Sequence, residues 1–132
     1  MKERKLYLGK RYRHFKGKYY RAIGIADSKA DIDPSSKEWI LYGQALDCEN
    51  ISIVYDVYFN NKTDEFALVR NGKTKKGKYV FYMALYDEGL YYIRDYDVFM
   101  SKTDRNKYPD KEKYPQDWRF QYDDVQPSTK LI

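Results

Sequence analysis

The chain has one cysteine, Cys48, and one histidine, His14, among 132 residues. A single thiol excludes an internal disulfide framework and a cysteine-rich metal site. A single imidazole excludes a histidine-only metal cluster. No apolar run approaches the ~18 residues of a membrane-spanning helix. The charged start, Met1 to Lys5, is not followed by the apolar stretch of a signal peptide. A cytoplasmic chain with no membrane role is therefore expected. Neither a phosphate-binding P-loop, nor a dinucleotide glycine motif, nor a Gly-x-Ser-x-Gly setting occurs. Asp27, Asp31 and Asp33 alternate but lack the Gly and terminal Glu of a calcium loop. No segment sustains a 3.6-residue apolar period, which argues against a helical fold.

Aromatic residues and charge fill the place of what is missing. Aromatic residues make up 18%, with 16 tyrosines, and charged residues 34%. The apolar share of 42% is enough for one core, so a single domain over residues 1–122 is expected, followed by a flexible tail at 123–132. The net charge of +5 is uneven. Residues 1–21 carry nine basic groups against Glu3, and residues 70–78 carry Arg70, Lys73, Lys75, Lys76 and Lys78 with no acid. The intervening and following stretches are acidic on balance. Such clusters attract anions locally. They also serve as soluble, edge-blocking turns in a β protein, and both readings stay open here.

Short alternating segments punctuated by turn residues predict β structure throughout. Residues 10–16 and 19–26 read as a hairpin about Gly17-Lys18, with Gly24 marking a bend or a close backbone approach. Residues 38–46 form a strand after a polar loop at 27–37. In 51–59, Ile51, Ile53, Tyr55, Val57 and Phe59 share one face. A strand at 65–70 leads into Asn71-Gly72, a hairpin signal, expected to open into a longer loop reaching Gly77. Residues 79–86 are apolar on both faces and should be covered on both sides. Residues 90–93 form a strand after a turn at 87–89. A helical turn at 95–100 is expected, capped by Asp95 with Phe99 inward. The prolines of the polar stretch 101–117 end regular structure nearby, and a last strand runs from Trp118 through Phe120 to Tyr122. The fold class is mainly β: a small SH3-like barrel, or a two-sheet sandwich, of short antiparallel strands.

Three blocks carry a resemblance. Arg11 to Tyr20 followed by Ile23-Gly24-Ile25-Ala26 is similar to G-x-Y-R-H-x-K-G-x-x-Y-x-V-x-G-x-A. Val80 to Arg94 followed by Asp97-Val98-Phe99 is similar to V-V-Y-x-A-L-Y-x-x-x-G-L-W-V-R-P-x-x-M-F. Trp118-Arg119-Phe120 is similar to P-R-F. In these the chain resembles a family of small bacterial domains of unknown function. The usual Trp is replaced by Tyr91 or Tyr92, the Pro by Asp95, and residues 27–78 stand as an insert where the family has a short loop. The resemblance implies a compact SH3-like barrel with no established activity.

As a general base, His14 would need an orienting carboxylate and a nucleophile, and a structural role is the simpler reading. Cys48 lies between Asp47 and Glu49, which should raise its thiol pKa and disfavour a nucleophilic role. No enzyme, metal or cofactor is therefore expected. Binding is the better-supported class. Arg11, Arg13, Lys16 and Lys18 surround Tyr12, Phe15, Tyr19 and Tyr20, the combination that neutralises phosphates and stacks on bases. The expected function is a non-catalytic module for an anionic ligand, a nucleic acid or nucleotide. Arg11, Arg13, Lys16, Lys18, Arg70, Lys73, Lys75 and Lys76 would hold the anion, and Tyr12 and Tyr19 would stack. The rival is a protein-interaction module, such as a phage-encoded inhibitor of a host or defence factor, since Tyr, Trp and Arg also anchor interfaces. An aromatic cage for a methylated cation is a third option.

Overall fold

A computed structural model describes residues 4–87 and 90–123. The tail expected at 123–132, apart from Asp123, and the tip of the turn at 88–89 lie outside the described residues. The elements are β1 (Arg11–His14), β2 (Tyr19–Ser28), β3 (Trp39–Asp47), β4 (Asn50–Asn60), β5 (Glu65–Arg70), β6 (Lys73–Thr74), β7 (Gly77–Ala84), β8 (Tyr91–Asp95), α1 (Tyr96–Phe99) and β9 (Phe120–Tyr122). Strands β2, β7, β8, β3, β4 and β5 neighbour one another in that order, and β5 returns to pair with β2, closing a six-stranded barrel. This is the small β-barrel expected from the strand pattern, and it sets aside the sandwich. Two of its joints are parallel, β3 with β8 and β2 with β5, among antiparallel ones. The stretch 27–78 supplies β3, β4 and β5, so half of the barrel wall comes from it.

The long strand β2 makes closure possible. Its first half pairs with β1 at Tyr19, Tyr20 and Arg21, whereas its second half meets β5 at Ala26. Between them the register with β7 shifts at Ala22–Gly24. A bulge of this kind bends a strand and increases its twist, so one edge of β2 serves two neighbours in turn.

Two apolar layers lie on either side of the β2–β7–β8 wall. Inside the barrel, Ala26, Ala45, Tyr55, Val57, Leu68, Phe81 and Ile93 pack together. Outside it, Tyr12, Ala22, Val80, Tyr82, Phe99 and Phe120 form a second cluster roofed by β1, β9 and α1. Strand β7 alternates between the two, Phe81 inward and Val80 and Tyr82 outward, which is why its sequence is apolar on both faces. The Phe99 and Phe120 rings stack in the outer layer with centroids 4.0 Å apart. Residues 11–26, 80–99 and 118–120 meet there as β1–β2, β7–β8–α1 and the approach to β9.

Local chemistry explains the connections. Asp95 accepts from the backbone N–H groups of Asp97 (2.9 Å) and Val98 (3.2 Å), capping the single turn of α1 and seating the buried Phe99. Asn71-Gly72 differs from the longer loop expected. Arg70 pairs directly with Lys73, and both turn residues have positive φ, 53° and 74°. That is a two-residue type I′ hairpin, the turn whose twist matches its strands. The final strand begins at Phe120 rather than Trp118, which forms an isolated bridge with Lys102. Arg105 gathers the polar stretch 104–117 by donating to the carbonyls of Tyr114 (2.7 Å) and Gln116 (3.1 Å).

Candidate anion-binding site

Strand β1 disperses the basic cluster seen in the sequence. Arg11 pairs with Asp123 and lies over the Tyr19 ring at 4.8 Å. Arg13 donates to Gln116 Oε1 at 3.1 Å. Lys18 sits 4.2 Å above the Tyr86 ring. Lys76 pairs with Asp31 at 2.6 Å. Tyr12 must be corrected outright: it is 0% exposed, edge-on to Phe99 and Tyr122, and its hydroxyl accepts from the Tyr7 amide. Alternation along β1 turns it to the face opposite Arg11 and Arg13, so it is a core residue and cannot stack on a ligand. Tyr19 is 38% exposed and keeps its ring at the surface.

Lys16 leads to the principal cavity, of about 500 Å³, where residues distant in sequence converge. His14, Phe15 and Lys16 come from the end of β1 and its turn, Cys48 and Glu49 from the β3–β4 turn, and Arg94 from the outward face of β8. Asp104, Lys107, Tyr108 and Arg119 come from the long connection to β9. Four cations therefore face two carboxylates. Lys16, Arg94, Lys107 and Arg119 make no ion pair within 4.0 Å among the described residues. Lys16 lies 5.0 Å over the Tyr108 ring.

The environment of these groups is electropositive and partly dry. His14 is pushed down to about 3, first by burial and then by Arg94, Lys16 and Arg119. It is therefore neutral near pH 7. The Lys16 amide donates to His14 Nδ1 at 3.2 Å, which assigns the ring proton to Nε2. Burial, and then the nearby Arg94, lower the pKa of Arg119. Arg94 Nε is buried without a hydrogen-bond partner among the described residues, a condition that costs about 1–3 kcal/mol. Cys48 has its thiol pKa raised, as expected, but burial is the main cause and Asp47 and Glu49 only add to it.

Two smaller hollows adjoin this cavity, and a third adjoins one of them. An aromatic recess of about 220 Å³ shares His14, Cys48 and Arg94 with it and adds Tyr20, Ile51, Tyr82, Tyr92 and Phe120. An acidic cleft of about 200 Å³ shares Cys48, Glu49 and Arg94 and adds Asp47, Asp95 and Lys75. Beyond Lys75, a hollow of about 380 Å³ at the β5–β6 hairpin holds Arg70, Lys73 and Tyr55. Lys75 itself lies over the rings of Tyr79 (4.9 Å) and Tyr55 (5.2 Å). The two basic segments thus border one run of hollows, through Lys16 at one end and Arg70, Lys73 and Lys75 at the other.

Sequence reasoning missed Arg94, Lys107 and Arg119. Arg94 lies in a strand whose apolar neighbours dominate the pattern, and Arg119 sits alone between Trp118 and Phe120. Alternation offered one usable signal: Tyr92 and Arg94 share a face on β8, opposite Ile93. Comparison with family models, with curated proteins and with solved structures finds no match for this chain.

Proposed function

We propose that the protein is a non-catalytic binding module for an anionic ligand, a nucleotide or nucleic acid, held in the cavity between β1, β8 and the 104–119 connection. One observation carries this reading: Lys16, Arg94 and Arg119 converge around a neutral His14 with no carboxylate paired to them among the described residues. Like charges held together in a partly desolvated hollow repel one another, and a phosphate between them reverses the sign of that interaction.

The test measures binding of dTMP and a dT decamer by titration calorimetry at several salt concentrations. Affinity should fall log-linearly with salt. Arg94→Met and Arg119→Ala should each weaken binding about tenfold or more, the scale of a charge-assisted hydrogen bond. Arg11→Ala should change it little, because that guanidinium is engaged with Asp123. Affinity indifferent to salt and to both arginines rejects the proposal.

One observation favours the protein-interaction reading. Ile40 and Leu41 on β3 are 50% and 57% exposed, within the stretch 27–78. A partner held there would respond weakly to salt and be lost on Leu41→Asp.

A further inference from the structure

The cationic cavity and the aromatic recess meet at His14, Cys48 and Arg94. We infer that they form one two-part site for a free nucleotide, its phosphate among Lys16, Arg94 and Arg119 and its base in the recess beside His14. This rests on the anion-binding reading above and narrows it to a small ligand carrying both a phosphate and a planar ring.

The recess has the surface a nucleobase needs. Tyr82 and Phe120 back it but are only 2% and 1% exposed, so the surface open to a ring comes from Tyr20, Tyr92 and Ile51. Tyr20 and Tyr92 form its sides and meet with centroids 6.3 Å apart. Tyr20 is further held by edge contacts to Tyr82 (5.4 Å) and Phe120 (5.7 Å), so the aromatic lining is braced before any ligand arrives. Ile51 borders the recess at 66% exposure, a large aliphatic side chain at the surface end of β4. An aromatic ring entering there would cover it. His14 lines both parts, and with Nδ1 occupied by the Lys16 amide its remaining polar group is the Nε2 donor.

Electrostatics separates a free nucleotide from a strand. On the other side of Arg94, Asp47, Glu49 and Asp95 face Lys75 and Arg94 in the acidic cleft. A continuing sugar-phosphate chain would bring its next charges against those carboxylates. A ligand that ends within the cavity meets its four cations and, of those three carboxylates, only Glu49.

The experiment is titration calorimetry at low salt with AMP, GMP, CMP, UMP, dTMP, ribose 5-phosphate and a dT decamer. At least one nucleotide should bind ten times or more tightly than ribose 5-phosphate, the increment of one stacked base. Ile51→Trp, a substitution at an exposed position that narrows the recess, should remove that increment and leave ribose 5-phosphate unchanged. The decamer should bind no more tightly than dTMP. Ribose 5-phosphate equal to every nucleotide overturns the base recess and leaves the anion site standing. A decamer ten times tighter than dTMP overturns the free nucleotide in favour of a strand and likewise leaves the anion site standing. No binding of any probe overturns both.

Discussion

Gly24 and Phe66 occupy a shared space: a Cβ at Gly24 would lie 2.3 Å from Cε2 of the Phe66 ring. The contact stands where β5 comes against β2 to close the barrel, beside the Ala26–Phe66 pairing. Glycine is required here because a ring carbon has the place of its side chain, whereas its φ is unexceptional.

Gly24→Ala is therefore expected to destabilise the fold by about 1–3 kcal/mol, the scale of an overpacked core. Urea denaturation reads this as a lower midpoint. Phe66→Leu in the same chain should recover part of the loss. Additive losses from the two changes would show that the contact is not the cause.

His14 gives the protein an acid sensitivity of known sign. Its folded value of about 3 lies below the ordinary 6.5. Between these values the unfolded chain binds a proton that the folded chain refuses, so stability is full above about 6.5 and falls as pH drops toward 3. The slope from this one group is at most about 1.4 kcal/mol per pH unit. Carboxylates also titrate in this range, so the comparison is with His14→Gln, whose stability curve should be flatter between pH 6 and 4. Parallel curves would remove the assignment.

Arg105 should behave as a clamp on the cavity wall. Its guanidinium reaches the carbonyls of Tyr114 and Gln116 at once, a fork that lysine cannot reproduce. Arg105→Lys should raise the rate of limited proteolysis within 104–117 several-fold while the barrel keeps its far-ultraviolet spectrum. An unchanged cleavage rate would mean that other contacts hold the segment, such as the Thr103 hydroxyl donating to Gln116 O at 2.8 Å.

Asp95→Ala should cost about 1 kcal/mol, the usual value of a helix N-cap. Asp95→Asn should restore most of it, since an amide oxygen accepts the same two bonds. The readout is the denaturation midpoint, and equal losses in both variants would point to charge rather than capping.

The strands were legible because alternation is a local property. β5 falls on Glu65–Arg70 as its pattern foretold, and Asp95 announced its helical turn one residue ahead. Closure was not legible, because the parallel pairing of Ala26 with Phe66 joins residues forty positions apart through a bend that a single glycine hints at. The site was only partly legible for the same reason. Lys16 was visible within a basic run, whereas Arg94 and Arg119 acquire meaning only when β8 and the approach to β9 come to lie beside β1. Tyr12 was misplaced by reading composition where periodicity should decide. It stands between two arginines in sequence and across the sheet from both.

The order of strands around the barrel also governs when the chain can fold during its synthesis. β3 is made early but must wait for β8 to emerge before its outer edge is paired, and β1 must wait for β9. Until residue 122 has left the ribosome, the aromatic surface that β9 seals is exposed to the cell. Slowing translation would prolong that exposure without hastening the fold.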